Sequence, residues 1–181
     1  KVSVEGGTVT QDGDATGAGV RAQITNAADA NVVQVVVKNA STINANGDGV
    51  YADTVGAGKV SVTVEAGSTV NGGVGGGNSI GDGIEAHGLG GGDVFVSNAG
   101  TVTGDPGIIA TAIGFGQVQV INTGLTSALD DGIQTTSVDG ITEIRVNAGT
   151  VESTSIGDGI NASTSGAGNL DIKTLAGTQV K

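Results

Sequence analysis

The chain contains no cysteine, methionine or tryptophan, and only one proline. The absence of cysteine excludes disulfide bonds and thiol chemistry. Aromatic residues make up only 2% of the 181 residues. Because aromatic side chains usually supply much of the volume of a globular core, we expect an architecture that is filled by stacked, small aliphatic side chains instead.

Cations are also scarce, with 7 Lys and Arg against 18 Asp and Glu, and the net charge is −11. Nucleic acids and anionic lipids bind clustered cations, so we expect neither as a partner. No apolar run approaches the ~18 residues of a membrane helix, so we expect no direct membrane insertion. The sequence starts at Lys1 without a signal peptide, and we expect it to be a fragment of a longer exported protein.

Glycine is abundant, with 35 residues, and it begins a sequence motif, here called the phrase, that recurs along the chain. The phrase is Gly, then Ile or Val, a variable residue and usually Ala, followed later by an alternating apolar run and often by Gly-Thr. Its copies begin at Gly19, Gly49, Gly83, Gly107, Gly132 and Gly159. A unit this short cannot bury a core alone, so the repeat predicts a solenoid. We expect each of these glycines to occupy a turn with positive φ.

Each repeat contains three segments with the pattern of a short β-strand. The first is an alternating apolar run, as at 33–37, 59–64 and 93–96. The second follows the repeat glycine, and the third carries a Thr-Val pair, as at 101–102. No window shows a sustained helical period. We therefore predict an all-β fold, a right-handed parallel β-helix of about six to seven rungs, as a single domain over residues 1–181.

Three asparagines share the strand parity of the aliphatic residues before them, namely Asn39, Asn98 and Asn122. We expect them to point inward and to stack as a ladder in which each amide bonds the next. Glu65 and Asn147 are shifted by one residue relative to this pattern, so they should point outward unless a β-bulge intervenes.

Aspartates precede most repeat glycines, and stacking should place them in one row. These residues are Asp48, Asp82, Asp131 and Asp158, with Asp105 one place earlier before Pro106. One interpretation is a row of weak Ca²⁺ sites, because Ca²⁺ favours several oxygen ligands. The alternative, which we favour, is turn chemistry, because Asp-Gly is a preferred turn pair. We accordingly predict no cofactor, with Ca²⁺ at this row as the open alternative.

The outward positions after the repeat glycines form a mixed set: Arg21, Tyr51, Glu85, Ile109, Gln134 and Asn161. A catalytic groove would need a general base, a cation beside it and aromatic residues along its wall. This set does not combine them, so we predict no catalytic residue. The paired carboxylates Asp12/Asp14 and Asp130/Asp131 are interpreted as solvated turn acids. His87, the only histidine, is expected to be exposed and inert at a turn. The glycine-rich stretch 72–78 is expected to bulge out of its coil.

The combined phrase resembles the passenger repeats of bacterial autotransporters and of large β-helical surface proteins. Gly-Asp-Gly-Ile-Glu-Ala at 81–86 with Asn-Ala-Gly-Thr-Val at 98–102 is the clearest copy, and 157–162 is another. The resemblance covers residues 19–181. It implies export, a bacterial cell-surface rod, adhesion to a host-cell or matrix surface, and self-association as a homo-oligomer or filament. The C-terminal membrane domain of that family is not among these residues, and no functional residue is carried over.

We therefore expect a non-enzymatic structural or adhesive segment of an exported surface protein. One alternative is a calcium-binding surface-layer, filament or matrix subunit that stacks end to end, for which calcium would raise the melting temperature. Another is a polysaccharide lyase or hydrolase on the same fold, which would release reducing ends or unsaturated products.

Overall fold

A computed structural model describes residues 1–12, 17–74 and 81–181, and these residues form strands and connecting loops without any helix. In chain order the strands are β1 (Val2–Glu5), β2 (Thr8–Gln11), β3 (Val20–Ile24), β4 (Val33–Lys38), β5 (Thr42–Ala45), β6 (Val50–Thr54), β7 (Val60–Val64), β8 (Thr69–Asn71), β9 (Ile84–Gly88), β10 (Val94–Asn98), β11 (Thr101–Gly104), β12 (Ile108–Ala112), β13 (Val118–Asn122), β14 (Leu125–Ala128), β15 (Ile133–Val138), β16 (Thr142–Val146), β17 (Thr150–Ser153), β18 (Ile160–Ser165), β19 (Leu170–Thr174) and β20 (Gln179–Val180).

Each strand pairs in parallel with the strand three places further along the chain, which produces three parallel sheets. The first sheet has the order β1-β4-β7-β10-β13-β16-β19, the second β2-β5-β8-β11-β14-β17-β20, and the third β3-β6-β9-β12-β15-β18. One strand from each sheet makes one coil, so the chain forms six complete coils followed by β19 and β20. The predicted all-β parallel β-helix is confirmed. In the described part of the chain no helix is long and apolar enough to cross a membrane.

The core consists of side chains of the same kind stacked from coil to coil. In the third sheet the ladder aligns Val20, Val50, Ile84, Ile108, Ile133 and Ile160. Among the described residues, all the buried core hydrophobics are Val, Ile or Ala. Parallel pairing without a register shift places each inward residue directly over its counterpart, so β-branched side chains of equal size fill the interior continuously. This accounts for a core without aromatics.

The inward asparagine ladder is confirmed for Asn98 and Asn122, which are 1% and 0% exposed. Asn98 Nδ2 donates to Asn122 Oδ1 at 2.8 Å, and the Thr126 hydroxyl donates to the same oxygen at 3.0 Å. The Asn122 amide in turn donates to the carbonyls of Gly124 and Thr150, at 3.0 and 3.1 Å. These bonds give the buried amides partners that an all-aliphatic core could not supply.

The same prediction is wrong for Asn39, which is exposed and donates to Glu5 Oε1 at 2.8 Å. Strand β4 ends at Lys38, and Asn39 and Ala40 both adopt positive φ, 57° and 56°. Because these two left-handed residues turn the backbone, strand parity no longer determines where the Asn39 side chain points. Glu65 is exposed as predicted, whereas Asn147 is half-buried.

The repeat glycines are explained by close packing and not by positive φ, so that prediction is also wrong. None of the six is among the residues with positive φ. A Cβ on Gly107 would lie 2.7 Å from both the Gly132 carbonyl oxygen and Thr126 Cγ2. The other five meet a core side chain of the second sheet within 2.4 to 2.7 Å. Only glycine lets the chain turn between the sheets this close to the coil above it.

We predict that Asn122→Ala lowers the free energy of unfolding by about 1–3 kcal/mol, because the buried Thr126 hydroxyl loses its acceptor and the carbonyls of Gly124 and Thr150 lose a donor. Denaturant unfolding followed by circular dichroism measures the change. Ser97→Ala, on the outer face of the neighbouring strand β10, is the control and should change stability by less than about 0.5 kcal/mol. Equal effects of the two substitutions would contradict a structural role for the ladder.

We predict that Gly107→Ala lowers stability by about 1–3 kcal/mol, because the added methyl group meets backbone that cannot move away without separating two coils. Gly7→Ala is the matched control, since a Cβ there has nothing within 4 Å and the residue does not have positive φ. Thermal unfolding of both variants tests this. A Gly107→Ala protein as stable as the control would show that close packing is not what requires glycine.

Candidate functional site

The turns between the second and third sheets bring the predicted aspartates into one row. The backbone carbonyls of Asp48, Asp82, Asp131 and Asp158 accept hydrogen bonds from the repeat glycines of the preceding coils, at 2.8 to 3.0 Å. The carbonyl of Pro106 accepts the same bond from Gly83, at 3.0 Å. These five residues therefore occupy equivalent positions in coils two to six, and we call them the turn row.

Several aspartates at these turns accept hydrogen bonds from backbone amides of the next coil. Asp48 Oδ1 accepts from the Asp82 amide at 3.3 Å, and Asp131 Oδ1 accepts from the Asp158 amide at 2.8 Å. Asp105, which lies just outside the row, accepts from the Asp130 amide at 2.8 Å. These bonds satisfy backbone donors at the corners of the coils, which is a structural role, but the donor belongs to the next coil and not to the turn of the aspartate itself.

The row does not form a series of equal cation sites. Asp131 is 4% exposed and accepts two further bonds, from Gln134 Nε2 at 3.3 Å and from Asn161 Nδ2 at 2.8 Å. Within the described ranges, the one group of three or more potential metal ligands comprises Asp48, Asp82 and Glu85, whose ligand oxygens lie within 4.8 Å of one another. We call these three residues the carboxylate cluster.

The carboxylate cluster is an unfavourable environment for three negative charges. Asp82 is 9% exposed, while Asp48 and Glu85 are half-buried. Burial, and then the charges of Glu85, Asp48 and Asp105, raise the pKa of Asp82 to about 8. Burial and the charge of Glu85 also raise the pKa of Asp48, although the Asp82 amide and Arg21 oppose the increase. The cluster can therefore take up a proton near neutral pH or hold a cation.

Strands β3, β6 and β9 surround the cluster with other polar side chains. The Arg21 guanidinium lies 4.2 Å from the centre of the Tyr51 ring, and the ring centres of Tyr51 and His87 are 6.1 Å apart. His87 Nε2 lies 2.7 Å from Glu85 Oε1. The prediction that His87 is exposed at a turn is wrong, because it lies half-buried in strand β9. Arg21 covers one face of Tyr51, which leaves less of the ring for stacking with a sugar.

Sequence reasoning missed two members of this surface. Glu85 was recognised only as an outward residue, although it follows Asp82 by three positions and the turn brings the two together. Asp53 was not recognised at all. It is 2% exposed, its Oδ2 accepts from Gln23 Nε2 at 3.1 Å, and its buried Oδ1 has no hydrogen-bond partner among the residues that the structure describes. A carboxylate at an outward strand position gives no sequence signal that it will be buried.

Neither phenylalanine belongs to the carboxylate cluster. Phe95 faces outward with Lys59 Nζ 5.1 Å from its ring centre, and Phe115 is 84% exposed. In the glycine-rich stretch, residues 72–74 bond through their amides to Thr103, Gly47 and Ala45. Residues 75–78 of that stretch and Asp14 lie outside the described residues.

We predict that the metal-free protein becomes more stable as the pH falls from about 9 to about 6. The pKa of Asp82 is about 8 in the native state against the ordinary value of 3.8, so the native state binds an extra proton. The stabilisation by this proton is complete below the unfolded pKa and is lost as the pH rises through about 8. Between about pH 6 and pH 9 we expect a loss on the order of 2 kcal/mol in the free energy of unfolding.

Thermal unfolding in the presence of a chelator measures this pH dependence. Asp82→Asn mimics the neutral carboxyl and should flatten the slope between about pH 6 and pH 9, while Asp131→Asn should keep it. An unchanged slope in Asp82→Asn would contradict the assignment to Asp82.

Comparisons of the chain with protein-family models, with curated proteins and with solved structures find no match. The fold and the carboxylate cluster are therefore the observations from which a function has to be argued.

Proposed function

We propose that this chain is a non-enzymatic segment of an exported bacterial surface protein, in which a stiff solenoid displays loops away from the cell. The observation that carries the proposal is the parallel register, which continues from coil to coil without a shift. Each sheet is a continuous hydrogen-bonded ladder, and at about 4.8 Å per coil the six coils extend roughly 30 Å. A fold of this kind suits a spacer whose shape must persist.

The corners of the coils provide the displayed surface. Phe115 and Ile156, 84% and 88% exposed, lie in loops between strands and not on the sheets. Exposed apolar side chains on short, anchored loops can contact a host-cell surface or an extracellular matrix at small entropic cost. The net charge of −11 keeps such a rod soluble. The absence of cysteine and the resemblance of the repeats to autotransporter passengers support export.

Protease shaving of intact cells that produce the native polypeptide tests the surface location. We expect peptides from residues 1–181 to be released by shaving and to map, by mass spectrometry, to a longer polypeptide. Peptides that stay protected until the cells are lysed would contradict the proposal. Release of reducing ends or unsaturated products from an acidic polysaccharide by the purified chain would instead favour the lyase or hydrolase alternative.

A further inference from the structure

Because the coils repeat, the surroundings of Asp82 can be compared with those of Asp131, which occupies the equivalent position two coils away. Asp82 in the third coil and Asp131 in the fifth occupy the same position of the turn row, and both are buried. Three donors satisfy the Asp131 carboxylate: the Asp158 amide of the next coil, Gln134 of the same coil and Asn161 of the next coil. A buried carboxylate with three donors needs no further partner.

Every one of those donors is replaced at Asp82. Pro106 occupies the position of Asp158, and proline has no amide proton. Glu85 occupies the position of Gln134, and Ile109 occupies that of Asn161, as the strand ladders show. These three differences between the coils are independent of one another, since they fall on two coils and involve both backbone and side-chain donors. Together they leave Asp82 without any hydrogen-bond donor among the described residues.

The consequence is that Asp82, a residue that is nine-tenths buried, has a carboxylate that lacks a donor among the described residues and faces other carboxylates. Asp82 is 9% exposed, and the charges that act on it are those of Glu85, Asp48 and Asp105, all negative. A buried polar group with no partner in a native fold calls for a bound water, proton or ion. Three converging carboxylates favour a cation over a neutral water.

We propose that Asp48, Asp82 and Glu85 bind a hard divalent cation of the Ca²⁺ class. Ca²⁺ takes oxygen ligands at about 2.3–2.6 Å, so ligands on the same ion lie up to about 5 Å apart, which fits oxygens within 4.8 Å of one another. Two of the ligands are already held in place. Asp48 accepts the Asp82 amide, and Glu85 pairs with His87. Water completes the coordination, because three side chains supply fewer oxygens than Ca²⁺ requires.

Calorimetric titration of the full chain with CaCl₂ at about pH 7.5 tests the proposal. We expect a single site with a Kd of about 10⁻⁴–10⁻³ M, typical of extracellular calcium sites. Asp82→Asn should weaken binding by at least about tenfold, and Asp131→Asn, the matched control two coils away, should stay within about twofold of wild type. No binding by the wild-type chain at about 10 mM CaCl₂, or equal binding by Asp82→Asn, would overturn the proposal.

A second variant separates loss of the site from loss of the fold. The double substitution Glu85→Gln and Ile109→Asn gives Asp82 the two amide side chains that Asp131 has. Both positions face outward on the third sheet and are half-buried, so the core is unchanged. We expect calcium binding to disappear while the melting temperature in chelator rises. Calcium binding that persists in this variant would overturn the proposal. None of these outcomes depends on where the protein is located, so the surface proposal is tested separately.

Discussion

The structure depends on parallel pairing of every strand with the equivalent strand one coil away. The pairing leaves no freedom of register, because a shift of one residue would turn each buried aliphatic side chain toward solvent. It also fixes the coil spacing at about 4.8 Å, which determines how close the turns must approach. The repeat glycines follow from that spacing: at Gly107 a single added carbon would meet backbone and side chain of the adjacent coil. Core composition and turn composition thus have one cause.

The coil architecture could be predicted from the sequence because it depends on patterns within one repeat. Alternation identified the strands, and the recurrence of the phrase showed that they stack. Local reasoning failed where the backbone leaves the strand. Asn39 and Asn98 have the same parity, yet Asn39 lies in a left-handed turn while Asn98 still belongs to strand β10. Parity determines the direction of a side chain only within a strand, and the end of a strand is what a pattern defines least well.

The carboxylate cluster was harder to predict for a different reason. Whether Asp82 has a donor depends on the residues that the next coil places above it, Pro106 and Ile109. Those residues are more than twenty positions away, and their relevance appears only once the coils are aligned. The aspartate row itself could be read from the sequence, but a row of identical residues suggests identical roles. The structure shows that their neighbours differ, so Asp131 is satisfied while Asp82 is not.

A solenoid offers a direct way to distinguish residues that support the fold from residues that add something to it. Each position recurs in every coil under nearly the same backbone geometry, so a residue required by the fold should recur with it. The repeat glycine recurs in all six copies, as a steric requirement should. The combination of Pro106, Glu85 and Ile109 around Asp82 occurs once, and it removes hydrogen bonds that another coil makes. A fold selected for stability alone would have kept those donors, because an unpaired buried carboxylate costs free energy at neutral pH. The departure from the repeat is therefore the strongest physical indication that this corner of the solenoid binds something.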